Sequence, residues 1–409
     1  MAFLVFLTGC NQESLINDQS DTKSGKILPV HADIEHWRTK VKPEIINKYE
    51  RLVYGMMPDP NLLVSTRVRT FSFSCDSIDA ILKEIELSFY KSNKTDSASF
   101  KVLLITPDGV QSPVFLGINA YGNHTIHSSP LISIEDGWVK EKPEFDLFNH
   151  RATASSRGAH ASRWPVERLL LRGYGLATFN TAQVFPDHLQ GKADSFYRLF
   201  DHYQPEKGAE AGAIGLWAWS MSRVLDILEK EEWVDADKII AIGHSRRGKA
   251  ALWAAANDQR FAAVISNNSG CGGAALFEGK QGETIKDIND QFPYWFNDNF
   301  KDFNNNEDEL PIDQHMLLSL MAPRPVYVAS AENDDWADPK NEFLSLHRAS
   351  EVYKLFGFPG IEQDSVPAVN KPLISGAQGY HIRTGGHDLT RYDWERFMDF
   401  NDVHVKRNK

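Results

Sequence analysis

One serine in this chain sits where a nucleophile would be built. The segment KIIAIGHSRRGKAALWAAA, residues 238–256, opens with a short apolar run, turns sharply at GHSRRG, and continues in good helix formers. A strand, a tight turn with glycines on both sides of a serine, and a helix make up the layout of a nucleophile elbow. Such a turn lifts the Ser245 hydroxyl above a sheet, and the first turn of the helix aims free backbone N–H groups at the charge that develops there. The pattern is G-x-S-x-x-G, so Gly248 stands one residue later than the second glycine of the usual G-x-S-x-G. Read alone, the same residues would be an ordinary glycine-flanked turn; the strand before them and the alanine-rich helix after them favour the nucleophile.

Serine needs a base, and the base needs an orienting acid. On α/β-hydrolase folds these follow in the order Ser, acid, His. His387 lies in TGGHDL, a glycine-rich loop between the last predicted strand and the last predicted helix, where that base belongs. Two loops could supply the acid. The first, after an apolar run at 261–266, reads NNSGC and holds no carboxylate. The second, after the run at 326–331, reads ENDDWADP. There Asp334 is the first choice, Asp335 the second and Glu332 the third, while Asp338 directly before Pro339 suits a helix N-cap. Acyl transfer places negative charge on the carbonyl oxygen. Arg246, the residue after the serine, could meet that charge with its backbone N–H and its guanidinium. Lys249, one helical turn on, would face the same cavity and suit an anionic or hydroxyl-rich substrate; the alternative for it is an exposed helix lysine.

The elements that must position these residues are legible in outline. Residues 37–58 carry apolar positions at helical spacing and end at Pro58 and Pro60. Strand patterns follow at 64–74, 83–90, 102–109 and 112–119. Together these resemble the antiparallel edge of an α/β-hydrolase sheet. From residue 164 the pattern alternates: helix 164–171, strand 174–180, helix 213–229, the elbow, strand 261–266, strand 324–331, helix 343–355, strand 380–383 and helix 393–405. This predicts an α/β-hydrolase fold, a three-layer αβα sandwich around a mostly parallel sheet. Residues 287–314, rich in Asn, Asp and aromatics, read as an insertion beside the carboxyl end of the sheet.

The chain has 409 residues, a formal net charge of −11 and ordinary apolar content. It can bury a large core without staples, and no basic cluster points to nucleic acid. Ten tryptophans are a mild hint of sugar stacking. The N-terminal stretch MAFLVFLTGC resembles a bacterial lipobox ending at Cys10, although no Lys or Arg precedes its short apolar run. This divides the chain into a lipoprotein signal segment at 1–10, a flexible tether at 11–34 and one catalytic domain at 35–409. It implies a lipid-anchored protein of the bacterial envelope, periplasmic or outer-membrane, or otherwise a secreted one. Cys75 and Cys271 could pair, but their spacing decides nothing.

GHSRRGK at 243–249 is similar to the G-x-S-R-x-G-K signature of the glucuronoyl esterases, carbohydrate esterase family 15. Further blocks resemble bacterial members: NAYGNHT (119–125), AIGLWAWSMS (213–222), NNSGCGGAA (267–275), FPYWFNDNF (292–300), LPIDQHML (310–317), residues 322–339 and GGHDLT (385–390). The resemblance covers roughly residues 35 to 405. It implies a serine esterase of the 4-O-methyl-glucuronoyl methylesterase type, cleaving the ester between 4-O-methyl-glucuronate on xylan and lignin alcohols. Its substrate partner would be glucuronoxylan or a lignin–carbohydrate ester. Ser245 is then the nucleophile, His387 the base and Arg246 the oxyanion stabiliser. Lys249 would contact sugar hydroxyls, Trp336 would pack over the uronate and Glu283 would bind the sugar. Fungal members carry a Glu in the loop after the strand that follows the elbow; Asn267 and Asn268 stand there instead. That departure resembles bacterial members whose acid lies one strand later, which supports Asp334. The family implies no metal and no cofactor, and the chain is expected to act as a monomer. An acetyl or feruloyl xylan esterase would share the triad without needing Arg246 and Lys249 together. A non-catalytic glycan-binding lipoprotein would lack a triad member.

Overall fold

A computed structural model describes residues 26–58, 62–75, 78–91, 93, 96–200 and 203–406. The lipobox, Cys10 and the tether up to residue 25 lie outside the described residues. Ten strands form one sheet. They are β1 (Leu63–Cys75), β2 (Ile78–Tyr90), β3 (Ser97–Pro107), β4 (Ser112–Asn119), β5 (Gly175–Asn180), β6 (Val234–His244), β7 (Ala263–Asn267), β8 (Val326–Ala331), β9 (Leu373–Ser375) and β10 (Gln378–Arg383). Their spatial order is β1-β2-β3-β5-β4-β6-β7-β8-β10-β9. β1, β2, β3 and β5 pair antiparallel. From β5 through β4, β6, β7, β8 and β10 every pairing is parallel, and β9 closes the far edge antiparallel.

Alternation along the central strands splits the interior into two cores. In β4, Val114, Leu116 and Ile118 face one core and Phe115 the other; in β6, Ile239 and Ala241 face the first and Ile240 and Ile242 the second. The first core is covered by the helices Ala213–Leu228, Arg246–Asn257 and Pro339–Leu355. The second is covered by Val166–Leu171 and Arg391–Asn401. Strands buried on both faces read as continuous apolar runs, which is why these segments were recognisable as parallel strands.

The alanines of the elbow helix bring its axis close to its neighbours. Ala250, Ala251, Ala254, Ala255 and Ala256 are fully buried. Trp253 fills the space beyond them and stacks on Tyr54 at 4.7 Å between centroids. Several boundaries differ from expectation: β2 begins at Ile78 rather than 83, β3 at Ser97 rather than 102, and β6 at Val234, ahead of its apolar run. β9 was not anticipated, because three residues at a sheet edge carry too little pattern. The helix expected at 343–355 starts at Pro339, capped by Asp338, whose carboxylate accepts from the Asn341 N–H at 3.2 Å. The chain also joins the fold before residue 35: Ile27 packs into the first core, and the Ile27 and Leu28 N–H groups donate to the Glu351 carboxylate at 2.7 and 3.3 Å.

Candidate active site

The elbow is built as its spacing suggests, with a reason for the late glycine. Ser245 has φ +60° and ψ −133°, a conformation an L-residue holds at a cost of about 1–3 kcal/mol. Its N–H donates to Asn267 O at 2.9 Å, tying the turn to the end of β7. A Cβ on Gly243 would lie 2.0 Å from the Arg247 carbonyl oxygen, so only glycine fits before the serine. A Cβ on Gly248 would meet Gly243 O and Ser269 Cβ at 3.0 Å. The close approach of helix to loop therefore falls at 248, and position 247 is left free to carry a side chain.

His387 stands on the loop after β10, half-exposed, and its Nδ1–H donates to Asp334 Oδ2 at 2.7 Å. Asp334 is buried on the loop after β8 and also accepts from Asn268 Nδ2 at 2.7 Å. Burial pushes the Asp334 carboxyl up, but the hydrogen bond and charge of His387, with the amide of Asn268, outweigh it and hold the carboxyl below its ordinary range. Asp335, next in the chain, is exposed, and Glu332 is half-buried at the end of the strand. Of the three candidate acids, Asp334 is the one that meets His387. The two loops are sewn together by Glu332 N–H to Arg383 O at 2.9 Å and Asn333 N–H to Gly385 O at 3.0 Å.

Several residues that sequence reasoning passed over hold these groups in place. Arg383 is buried, paired with Asp393, and donates to the carbonyls of Thr384, Gly386 and Asp388 at 3.0, 3.0 and 2.6 Å. It braces both sides of His387. Glu342 accepts from the N–H groups of Ser269 and Gly270 at 2.8 and 3.0 Å and from Ser330 Oγ at 2.6 Å, fixing the loop that carries Asn268. The His244 ring lies beside that of His387, tilted by 45° with centroids 4.5 Å apart. Its Nδ1 donates to Asn267 Oδ1 at 2.6 Å, and burial drives its pKa well below the ordinary histidine value, so it stands as a neutral wall.

Arg246 is clamped from three sides. Its Nη1 donates to Asp187 Oδ2 at 2.8 Å, and its guanidinium lies 4.2 Å from the Trp295 ring centroid and 4.9 Å from that of Phe292. Asp187 is buried and accepts in addition from Tyr294 Oη at 3.0 Å and Trp295 Nε1 at 2.9 Å. Burial would raise its pKa, but Arg246, Arg247 and Lys140 together keep it below the ordinary value. No motif marks Asp187; its role emerges only from the fold, which brings it to Arg246 from 59 positions away in the chain. The 287–314 stretch supplies Tyr294 and Trp295 to this clamp.

Lys249, Glu283 and Trp336 come together one helical turn on, where Lys249 lies 5.8 Å from the centroid of the same Trp295 ring. Lys249 is buried, hydrogen-bonds Cys271 O and stands 3.6 Å from Glu283 Oε2. It is thus an inward lysine and not an exposed one, and burial lowers its pKa against the pull of Glu283. Glu283 accepts from Trp336 Nε1 at 3.1 Å, and its N–H donates to Trp336 O at 2.9 Å. The Trp336 ring remains 55% exposed, an open aromatic face beside a buried ion pair. Cys271 itself is a free, buried thiol, its pKa pushed up to about 12 by burial.

Set beside known proteins, the chain finds close company. A family profile described as "Glucuronyl esterase, fungi" matches residues 145–357. A curated relative, carbohydrate esterase MZ0003 from an unknown prokaryotic organism, is 40% identical over 91% of this chain and 86% of its own length. A 4-O-methyl-glucuronoyl methylesterase 1 from Phanerochaete chrysosporium is 36% identical over 40% of this chain and 35% of its own. Among solved structures, a promiscuous CE15 esterase from a marine bacterial metagenome superposes with a TM-score of 0.85 at 39% identity, covering 91% of this chain and 93% of that one. The glucuronoyl esterase from Solibacter usitatus gives a TM-score of 0.82 at 39% identity, covering 91% and 94%. The chain belongs to the glucuronoyl esterase family, carbohydrate esterase family 15, and is a carboxylic ester hydrolase on an α/β-hydrolase fold.

Proposed function

We propose that this enzyme hydrolyses esters of glucuronic and 4-O-methyl-glucuronic acid, as in lignin–xylan linkages, through a Ser245–His387–Asp334 triad. The observation that carries the reading is the elbow helix itself. One turn of it presents Ser245, Arg246 and Lys249, with the His387–Asp334 pair adjoining His244 and the Glu283–Trp336 pair adjoining Lys249.

In this reading the Lys249–Glu283 pair and the Trp336 face bind the sugar and set its C6 carbonyl over Ser245. The Ser245 Oγ attacks the carbonyl carbon while His387 Nε2 takes its proton, and Asp334 steadies the imidazolium that forms. The oxyanion meets the Arg246 N–H at the helix start and its clamped guanidinium, donors already in place before charge develops. Collapse expels the alcohol, protonated by His387. Water activated by the same imidazole then releases the glucuronate and restores Ser245. Each of these steps is carried by side chains and backbone of this chain.

The test is a substrate panel of benzyl glucuronate, methyl galacturonate and 4-nitrophenyl acetate. Efficient turnover of the glucuronate ester, abolished in Ser245→Ala, is the expected outcome. Turnover of the acetate alone would replace this reading with a general or acetyl esterase. We further propose that Cys10 is acylated and anchors a monomeric enzyme in the bacterial envelope. Palmitate labelling that persists in Cys10→Ala would overturn the anchor.

A further inference from the structure

The elbow signature leaves one position open, and here an arginine fills it. Arg247 sits between Arg246 and Gly248. Its Nε is buried without a hydrogen-bond partner. Among the described residues its guanidinium forms no ion pair, whereas its cationic neighbours each lie near a carboxylate. Arg246 pairs with Asp187 at 2.8 Å, Arg163 with Asp388 at 2.5 Å and Lys142 with Glu144 at 3.4 Å, while Lys140 lies 4.0 Å from Asp187. Five cations thus share three carboxylates, in a chain whose formal net charge is −11. Burial, with Arg246 and Arg163 close by, lowers the Arg247 pKa to about 10 against the more distant pull of Asp187, which Arg246 already holds, and of Tyr121. A guanidinium left this way is short of one anion.

Its place relative to the triad says whose anion that is. The sugar-side group is Lys249, Glu283 and Trp336. Arg247 and Arg163 instead lie within electrostatic reach of His244, the ring tilted against His387, and Arg163 is paired with Asp388, the residue after His387. The departing alcohol receives its proton from the base, so it must lie on the His387 side. Tyr121 and His160 lie within electrostatic reach of Arg247, and Tyr121 meets Phe145 at 5.3 Å and His160 at 5.2 Å, both edge-on.

We propose that Arg247 forms a leaving-group subsite for an aromatic alcohol that bears an anionic substituent, a carboxylate or a sulfate. This rests on the glucuronoyl esterase reading above. The guanidinium offers a planar fork that matches either oxyanion, and the aromatic edges receive the ring.

The experiment compares three glucuronate esters: those of benzyl alcohol, 4-(hydroxymethyl)benzoate and 4-(hydroxymethyl)phenyl sulfate. The wild type should show a KM about tenfold lower for at least one charged ester than for the neutral one, with the gap narrowing as NaCl is raised. In Arg247→Gln the ratio of the two KM values should approach one, and Arg247→Lys should restore part of it. Equal KM values in the wild type, or a preference that survives in Arg247→Gln, would overturn the subsite. Should Arg247→Gln not fold, competitive inhibition of the wild type decides. 4-Methylbenzoate should inhibit about tenfold more tightly than 4-methylbenzyl alcohol, and equal inhibition overturns the proposal. Failure to cleave any of the three esters would instead overturn the function on which the subsite rests.

Discussion

At the scale of single residues, the distinction between neighbours is what carries function. Asp334 and Asp335 are chemically identical, yet one is buried against His387 and Asn268 and the other faces solvent. Asp334→Asn should lower kcat by roughly 10³–10⁴, with KM little changed, because the base loses the acceptor that fixes its tautomer. Asp335→Asn should stay within about twofold, since an exposed carboxylate without that contact contributes little; steady-state kinetics on benzyl glucuronate separates the two. Asp187 makes the complementary case. Its replacement by Asn removes the charge that aims Arg246. The expected loss is about 10- to 100-fold in kcat, larger than any change in KM. Ser245, His387 and Arg246 were legible because their motifs are local. Asp334 was legible as a preference among three carboxylates in one loop, which spacing could rank but not separate. Asp187, Asn268 and Arg383 were not legible. Each acts on a partner that only the folded chain brings near, and a lone Asp, Asn or Arg has no pattern of its own.

At the scale of elements, the site is a meeting of strand ends. β6, β7, β8 and β10 deliver the elbow, the Asn268 loop, the Asp334 loop and the His387 loop side by side. Glu342, from the helix after β8, holds the Asn268 loop from beneath. Burial raises the Glu342 carboxyl to about 7, with hydrogen bonds from Ser330 and Gly270 acting against it and the nearby Asp334 charge adding to it. The folded pKa exceeds an unfolded value of about 4.3. The folded state therefore holds the proton more tightly, and stability from this group is full below that lower value and is lost as pH rises toward 7. The slope is roughly 1.4 kcal/mol per pH unit between the two values. An amide in its place would remain neutral throughout. Thermal unfolding should show Glu342→Gln gaining on the wild type between about pH 5 and pH 7 and running parallel to it above about pH 8; a gap that does not change with pH would count against this account. The antiparallel edge was readable from alternation in β1 and β2, whereas β9 escaped because it has three residues and none fully buried.

At the scale of the whole molecule, the sheet was readable because its central strands are buried on both faces and spell continuous apolar runs. The start of the fold was not, because Ile27 and Leu28 sit in a polar stretch and join the body through Glu351, more than 320 residues away. A chain that begins at residue 29 should be less stable than one that begins at residue 26 by about 1–3 kcal/mol, from the lost Ile27 burial and two hydrogen bonds. Chemical denaturation measures that difference. The charge distribution is also a property of the whole: an acidic molecule sets Arg246, Arg247, Lys249, Arg163 and Lys140 within electrostatic reach of one another at the elbow, where a uronate ester and its oxyanion would sit. The account as a whole stands on a covalent intermediate at the centre of that cluster. Rapid-quench mass spectrometry during turnover of benzyl glucuronate should find one glucuronoyl group on the peptide that contains Ser245, and none in Ser245→Ala. Continued turnover of the ester by Ser245→Ala, or an acyl group carried on another residue, would contradict it.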